Sequence, residues 1–272
     1  MPLADPAPDL ARLAPVRCFL LDMDGTVYLG ERLLPGALRF LQLLQARGLR
    51  HTFLTNNSSK DARQYVEKLN RLGLPATLAQ VLTSGAATAR YLHGQRPGAR
   101  VFVVGTPSLE AEFAARGFSL TSDAPDVAVL GFDTTLTYAK LWKLCDLVSA
   151  GVPYLATHPD LVCPTETGTM PDIGALIAAV RAATSREPDH IIGKPNRLMA
   201  EMAAQRAGVP LSALAMVGDR LYTDIALGAA AGIPAILLLS GETRAEDVPT
   251  AQHPPDFIFP DIGALADQLA ML

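Results

Sequence analysis

At 272 residues the chain exceeds the ~100 to 150 residues of a common single domain, so a core with a second module is expected. Hydrophobic residues make up 49% and charged residues 18%, ample apolar material for a packed core and too little charge for a disordered chain. A formal net charge of −4 leaves no broad basic field and disfavours nucleic acid as a partner. Cys18, Cys145 and Cys163 are too few and too scattered for a disulfide framework or a cysteine zinc site, which points to a reducing cytoplasm.

The opening "MPLADPAPDL" has no basic segment leading into an apolar one and reads as a loose Pro-rich arm, not a signal peptide. The longest apolar runs, such as "IPAILLL", fall far short of the ~20 residues that cross a bilayer, so no membrane span is expected. Next come "VRCFLL" as a strand, "GALRFLQLLQARG" as a helix, "RHTFLT" as a strand and "SKDARQYVEKLNRLG" as a helix. Such alternation predicts right-handed βαβ units around a parallel sheet. Gly48 and Gly73 sit just past the two helices, where a left-handed terminal residue is wanted.

A second series begins near residue 80: "SGAATARYLHG" helical, "ARVFVVG" a strand, "PSLEAEFAARG" helical, "PDVAVLGF" a strand, "YAKLWKLCDLVSAG" helical, "VPYLATH" a strand. A third runs from "HIIGKPN" through the helical "RLMAEMAAQRAG" and the strand "ALAMVGD" to "YTDIALGAAAG", "IPAILLL" and a terminal helix at "DIGALADQLA". The expected architecture is α/β: a Rossmann-like, doubly wound parallel-sheet core of residues 1–80 and 188–272, with a smaller α/β domain of residues 81–187 inserted into it.

Ligands of a doubly wound sheet bind beyond the carboxyl ends of its strands. Four apolar runs end there in complementary polar residues: Asp22 and Asp24 with Gly25; Thr55, Asn56 and Asn57; Lys194; and Asp219 with Asp224. Side chains alternate along an extended chain, so Asp22 and Asp24 share a side with Cα atoms about 6 to 7 Å apart. Two acids so close call for a positive partner. Mg²⁺ takes oxygen ligands and completes its shell with water and phosphate, so Asp22, Asp219 and the main-chain carbonyl of Asp24 would suffice. Each motif also has a plainer reading. "DMDGT" fits a turn, Ser58 or Ser59 fits the N-cap of a helix starting near Lys60, Lys194 before Pro195 fits a solvated turn, and Asp224 fits the cap of the helix after it.

The ordered set "DMDGT", "LTNNS", "GKP" and "GDRLYTD" resembles the four motifs of the haloacid dehalogenase-like hydrolase superfamily, over nearly the whole chain. Thr55 follows Asp24 by 31 positions, too few for a domain, and Lys194 follows Thr55 by 139. An insertion there is similar to the type IIA cap of the NagD and p-nitrophenyl phosphatase family. His158 stands where that family often has Asn, and Tyr222 where it often has an acid.

The resemblance implies an Mg²⁺-dependent phosphatase. Asp22 would attack phosphorus to form an aspartyl-phosphate, and Asp24 would protonate the leaving oxygen and then activate water. Thr55, Lys194 and nearby main-chain N–H groups would neutralise the phosphate, with Gly25, Asn56 and Asn57 at the phosphate and Asp224 orienting Lys194 or a metal-bound water. It implies a small phosphomonoester substrate, of the sugar phosphate, nucleoside monophosphate, phosphoglycolate or pyridoxal phosphate class, and leaves the oligomeric state open, with a homodimer through the cap as one arrangement that relatives often adopt. The inserted stretch "THPDLVCPTETGTMPDIGAL" is rich in Pro, Gly and Thr. It is expected to face the substrate with His158, Asp160, Glu166 and Asp172, or else to be a surface loop in which Asp172 caps the next helix and Cys163 is merely packed. A phosphotransferase with a non-water acceptor and a non-catalytic binding protein on the same fold are the alternatives.

Overall fold

A computed structural model describes residues 10–165 and 168–271. Residues 1–9 of the Pro-rich opening, and Glu166, lie outside them; Leu10 opens a 3₁₀ turn, Leu10–Leu13. The chain divides into two compact units, Met1–Thr52 with Ala203–Leu272, and Phe53–Met202.

In the first unit the strands Phe257–Phe259, Ala235–Leu238, Leu214–Gly218 and Cys18–Leu21 lie parallel in that order. The start of Arg50–Thr55 comes next, the Arg50 N–H donating to the Arg17 carbonyl at 2.9 Å. Every residue of Cys18–Leu21, Leu214–Gly218 and Ala235–Leu238 is buried, the burial that parallel strands covered on both faces acquire. From Cys18–Leu21 the chain moves to Arg50–Thr55 on one side and later returns to Leu214–Gly218 on the other. The order therefore reverses between two adjacent strands, and their carboxyl ends are where such a sheet binds ligands. Asp22 and Asp219 each follow one of those ends.

In the second unit the end of Arg50–Thr55 pairs in parallel with Val81–Thr83. A separate parallel sheet has the order His190–Ile191, Tyr154–Ala156, Val127–Leu130, Arg100–Val104, Ser119–Leu120. Alternate side chains of Val127–Leu130 enter opposite cores, as a period of two requires. Val127 and Val129 join Leu92, Leu109 and Phe113 of the helices Ser84–Gln95 and Pro107–Ala115. Ala128 and Leu130 join Leu144, Val148, Ile173, Ile177 and Val180 of the helices Tyr138–Ser149 and Ile173–Thr184.

Gly48 and Gly73 have φ of 66° and 86° directly past the helices Ala37–Ala46 and Ala62–Arg71. The second of these helices corrects one expectation: its N-cap is Asp61, not Ser58 or Ser59. Asp61 accepts from the Gln64 N–H at 2.9 Å while Gln64 Oε1 accepts from the Asp61 N–H at 2.9 Å, a reciprocal pair that leaves the serines to other partners. The Thr-, Pro- and Gly-rich stretch contains an antiparallel hairpin, Val162–Thr165 with Gly168–Pro171. Further short strands, among them Val81–Thr83, Ser119–Leu120 and Phe257–Phe259, also lie outside the predicted series.

Candidate active site

In the first unit the chain turns immediately after Cys18–Leu21. The Asp22 N–H donates to the Val217 carbonyl at 2.9 Å, and the Met23 carbonyl accepts from the Val27 N–H at 3.0 Å. Gly25 has φ 87°, and a Cβ there would fall 2.4 Å from Asp219 Oδ2; the turn needs glycine on both counts. Asp22 and Met23 are buried, whereas Asp24 is exposed. Carboxylate oxygens of Asp22, Asp219 and Asp224 all lie within 4.8 Å of one another, and all three residues are buried.

Three buried carboxylates at that distance cannot all stay ionised unaided. Burial first, and then the negative charges of Asp22 and Asp224, push the Asp219 carboxyl well above the ordinary carboxylate range. Asp219 Oδ2 accepts from the Glu242 N–H at 2.7 Å, but Asp219 Oδ1 is buried with no hydrogen-bond partner. An orphaned acceptor among three carboxylates fits a hard divalent cation. Asp224 Oδ2 accepts from the Arg220 N–H at 3.1 Å. It therefore fastens its own loop, the π-turn Leu221–Ile225, and does not cap the following helix.

The second unit brings together the other two motifs. The Lys194 side chain is buried at 2% exposure, and its Nζ lies 3.5 Å from the Leu54 carbonyl, one residue before Thr55. Thr55 Oγ1 accepts from the Asn57 N–H at 3.1 Å, and Asn57 Oδ1 accepts from Ser59 N–H at 2.9 Å. The Asn56 side chain bonds the main chain of Lys194. Ser58 Oγ accepts from the Phe132 N–H at 2.9 Å and bonds Thr157 Oγ1 at 2.9 Å. Thr106 Oγ1 donates to the Ser59 carbonyl at 2.8 Å. The "TNNSS" loop is thus bonded to the strand ends of the five-stranded sheet.

His158, Asp160 and Asp172 also form a buried group, with ligand atoms within 4.8 Å of one another. His158 Nε2 and Asp172 Oδ1 are 2.9 Å apart and His158 Nδ1 is 3.1 Å from Thr157 Oγ1, so both ring nitrogens are engaged. Asp172 is also the N-cap of Ile173–Thr184, accepting from the Ile173 N–H at 2.7 Å. Cys163 packs against the apolar cluster of that helix. Glu166 lies outside the described residues.

Sequence reasoning missed the loop after Ala235–Leu238. Ser240 Oγ donates to the Gly25 carbonyl at 2.8 Å, and the Glu242 main chain supplies the bond to Asp219. At Gly241 a Cβ would lie 2.0 Å from Asp219 Oδ2. The signal was present: "SGET" is a fifth polar segment at the end of an apolar strand.

Residues 19–119 match the haloacid dehalogenase-like hydrolase family, and residues 191–265 match a second, HAD-hydrolase-like family. An acid sugar phosphatase of Staphylococcus aureus is 35% identical over 254 residues, covering 93% of this chain and 98% of that protein. The crystal structure of a 4-nitrophenylphosphatase from Thermotoga maritima is 47% identical with a TM-score of 0.91, covering 94% of this chain and 98% of the other. A glycerol phosphate phosphatase from Mycobacterium tuberculosis, in complex with magnesium, is 36% identical with a TM-score of 0.87, covering 94% and 78%. Among the described residues no helix is long and apolar enough to cross a membrane.

Proposed function

Because the chain belongs to the haloacid dehalogenase-like hydrolase family, we propose that it is an Mg²⁺-dependent phosphatase of small phosphomonoesters that works through an aspartyl-phosphate. The observation that carries the reading is the group Asp22, Asp219 and Asp224 at two adjacent strand ends, with an unpartnered oxygen on Asp219. Asp22, Asp219 and the main-chain carbonyl of Asp24 would hold the ion, which when bound supplies positive charge to the phosphate oxygens.

The chain's own residues do the rest. A carboxylate is a weak nucleophile that becomes effective when held in line with an electrophile whose charge is neutralised. Asp22 forms the new bond to phosphorus as the ester oxygen leaves, and Asp24 gives that oxygen its proton. Water then attacks the phosphorus, its proton passes to Asp24, and the bond to Asp22 breaks to release inorganic phosphate. The different surroundings of the two acids, Asp22 buried and Asp24 exposed, support this division of roles. Lys194 and the Thr55 hydroxyl neutralise the transferred group. Asp224, tied to the Arg220 main chain, positions rather than reacts.

Residues 81–187 serve as the cap, and Gly25, Asn57, His158, Glu166 and Asp172 remain the expected substrate side of the site, whereas the buried side chains of Asn56 and Asp160 bond each other and Asn56 bonds the Lys194 main chain. The relatives' activities favour sugar and glycerol phosphates over nucleotides among the small esters. The test is phosphate release from a panel of esters, glycerol phosphate, sugar phosphates, phosphoglycolate, nucleoside monophosphates and pyridoxal phosphate, with Mg²⁺ or with EDTA. Mg²⁺-dependent turnover of at least one small ester is expected. A folded protein that releases phosphate from none of them overturns the reading.

A further inference from the structure

We propose that Asp160 is a positioning residue for Lys194, acting through the side chain of Asn56. The proposal rests on the reading of Lys194 as the group that neutralises the phosphate. Asn56 follows Thr55 directly and is 5% exposed, and its carboxamide is fully used inside the protein. Oδ1 accepts from the Lys194 N–H at 2.8 Å. Nδ2 donates to the Lys194 carbonyl at 3.0 Å and to Asp160 Oδ1 at 2.9 Å. The two protons of Nδ2 thus meet two acceptors, and the main chain of Lys194 is gripped at both ends by one side chain.

A carboxamide is nearly symmetric in shape, so something must choose which way round it sits. A carboxylate offers acceptors only. The Lys194 N–H and carbonyl already favour one way round, and Asp160 reinforces it by requiring the nitrogen of Asn56 on its side, which leaves the oxygen facing the Lys194 N–H. Turned over, the same amide would set N–H against N–H and oxygen against two oxygens, three repulsions in place of three bonds. Asp160 itself is 4% exposed and held by the next helix: its carbonyl accepts from the Gly174 N–H at 2.8 Å.

Gly193 leaves the lysine no slack. Its N–H donates to the Thr157 carbonyl at 2.7 Å, and a Cβ there would fall 2.5 Å from that carbonyl and 2.7 Å from Asn56 Oδ1. The main chain entering Lys194 is pinned between the loop that carries Asp160 and the amide that Asp160 orients. The amide thus helps to place the buried ammonium at the end of that chain. An error of order 1 Å in such a group can cost a factor of about 10² in rate.

The experiment measures kcat and KM, inhibition by inorganic phosphate and the Mg²⁺ concentration for half-maximal rate, in the wild type, Asp160→Ala, Asn56→Ala and the double variant. Asp160→Ala is expected to lower kcat/KM by roughly 10- to 100-fold and to weaken phosphate inhibition in parallel. The Mg²⁺ requirement, set by carboxylates of the first unit, should not move. In the double variant the loss should equal that of Asn56→Ala alone, since Asp160 then has no amide to orient. Asn56→Asp, which puts a second acceptor against Asp160, should lose activity and regain part of it when combined with Asp160→Asn; this pair serves if Asp160→Ala does not fold. Wild-type kinetics in Asp160→Ala, multiplying losses in the double variant, or no regain in the exchanged pair would overturn the positioning role. A wild type without phosphatase activity overturns the functional reading as well, so the two failures are distinct.

Discussion

Asp219 carries the electrostatic problem of the first unit. Its folded pKa lies above that of the unfolded chain because of burial and the charges of Asp22 and Asp224. Between those two values the metal-free folded state therefore holds a proton that the unfolded chain has released. The stability this contributes is full below the unfolded value and is lost as pH rises through the folded one. Asp219→Asn mimics the protonated form, so at neutral pH it should raise the melting temperature of the metal-free protein while abolishing the further rise on adding Mg²⁺. A melt with and without EDTA checks both signs. His51 acts in the opposite window. Burial lowers its pKa from 6.5 to about 4, so the unfolded chain binds the extra proton and stability falls as pH drops from about 6.5 toward 4, by an amount on the order of 1 to 3 kcal/mol. His51→Gln should flatten that part of a stability profile measured by urea unfolding. Asp22, Asp24, Lys194 and Asp219 were legible because each closes an apolar strand, a pattern in one dimension. The direction of the Asn56 amide was not, because its partners Asp160 and Lys194 are more than a hundred positions away and only the fold brings them in.

At the scale of elements, local chemistry decides the ends. Asp61 and Gln64 cap the helix Ala62–Arg71 reciprocally, so Asp61→Ala should cost about 1 kcal/mol, a fall of a few degrees in melting temperature. Ser58→Ala should leave that helix intact and instead loosen the "TNNSS" loop from Phe132 and Thr157. Helices and their glycine stops were readable in the sequence because ten or more residues share one period and Gly48 and Gly73 follow them. The hairpin Val162–Thr165 with Gly168–Pro171 was not readable. Its two strands have four residues each and contain prolines and a glycine, so no period of two can build up. Residue type alone does not separate Asp61 from Ser58 and Ser59, because Ser, Asn and Asp all make good caps; the reciprocal bond to Gln64 does.

For the molecule as a whole, the parallel core and a second α/β sheet follow from the alternation of strand and helix patterns, which covers the chain almost without a break. Where one unit ends is less visible. The pattern restarts near residue 80, yet by contacts the division falls between Thr52 and Phe53 and again between Met202 and Ala203. The bonds of Ser58, Ser59 and Asn56 explain the difference: the loops that carry Thr55 and Lys194 are tied to the five-stranded sheet. If Mg²⁺ binds the carboxylates of the first unit, the whole protein should be stabilised by about 2.7 kcal/mol at a hundred times the dissociation constant. The most direct measurement is the initial rate of phosphate release from p-nitrophenyl phosphate by the wild type and Asp22→Asn, each with saturating Mg²⁺ and with EDTA. A nucleophilic Asp22 beside a required cation predicts turnover that EDTA abolishes, and a loss of roughly 10³-fold or more in a variant that still melts cooperatively. Turnover that EDTA does not touch, or an Asp22→Asn enzyme as fast as the wild type, would contradict it.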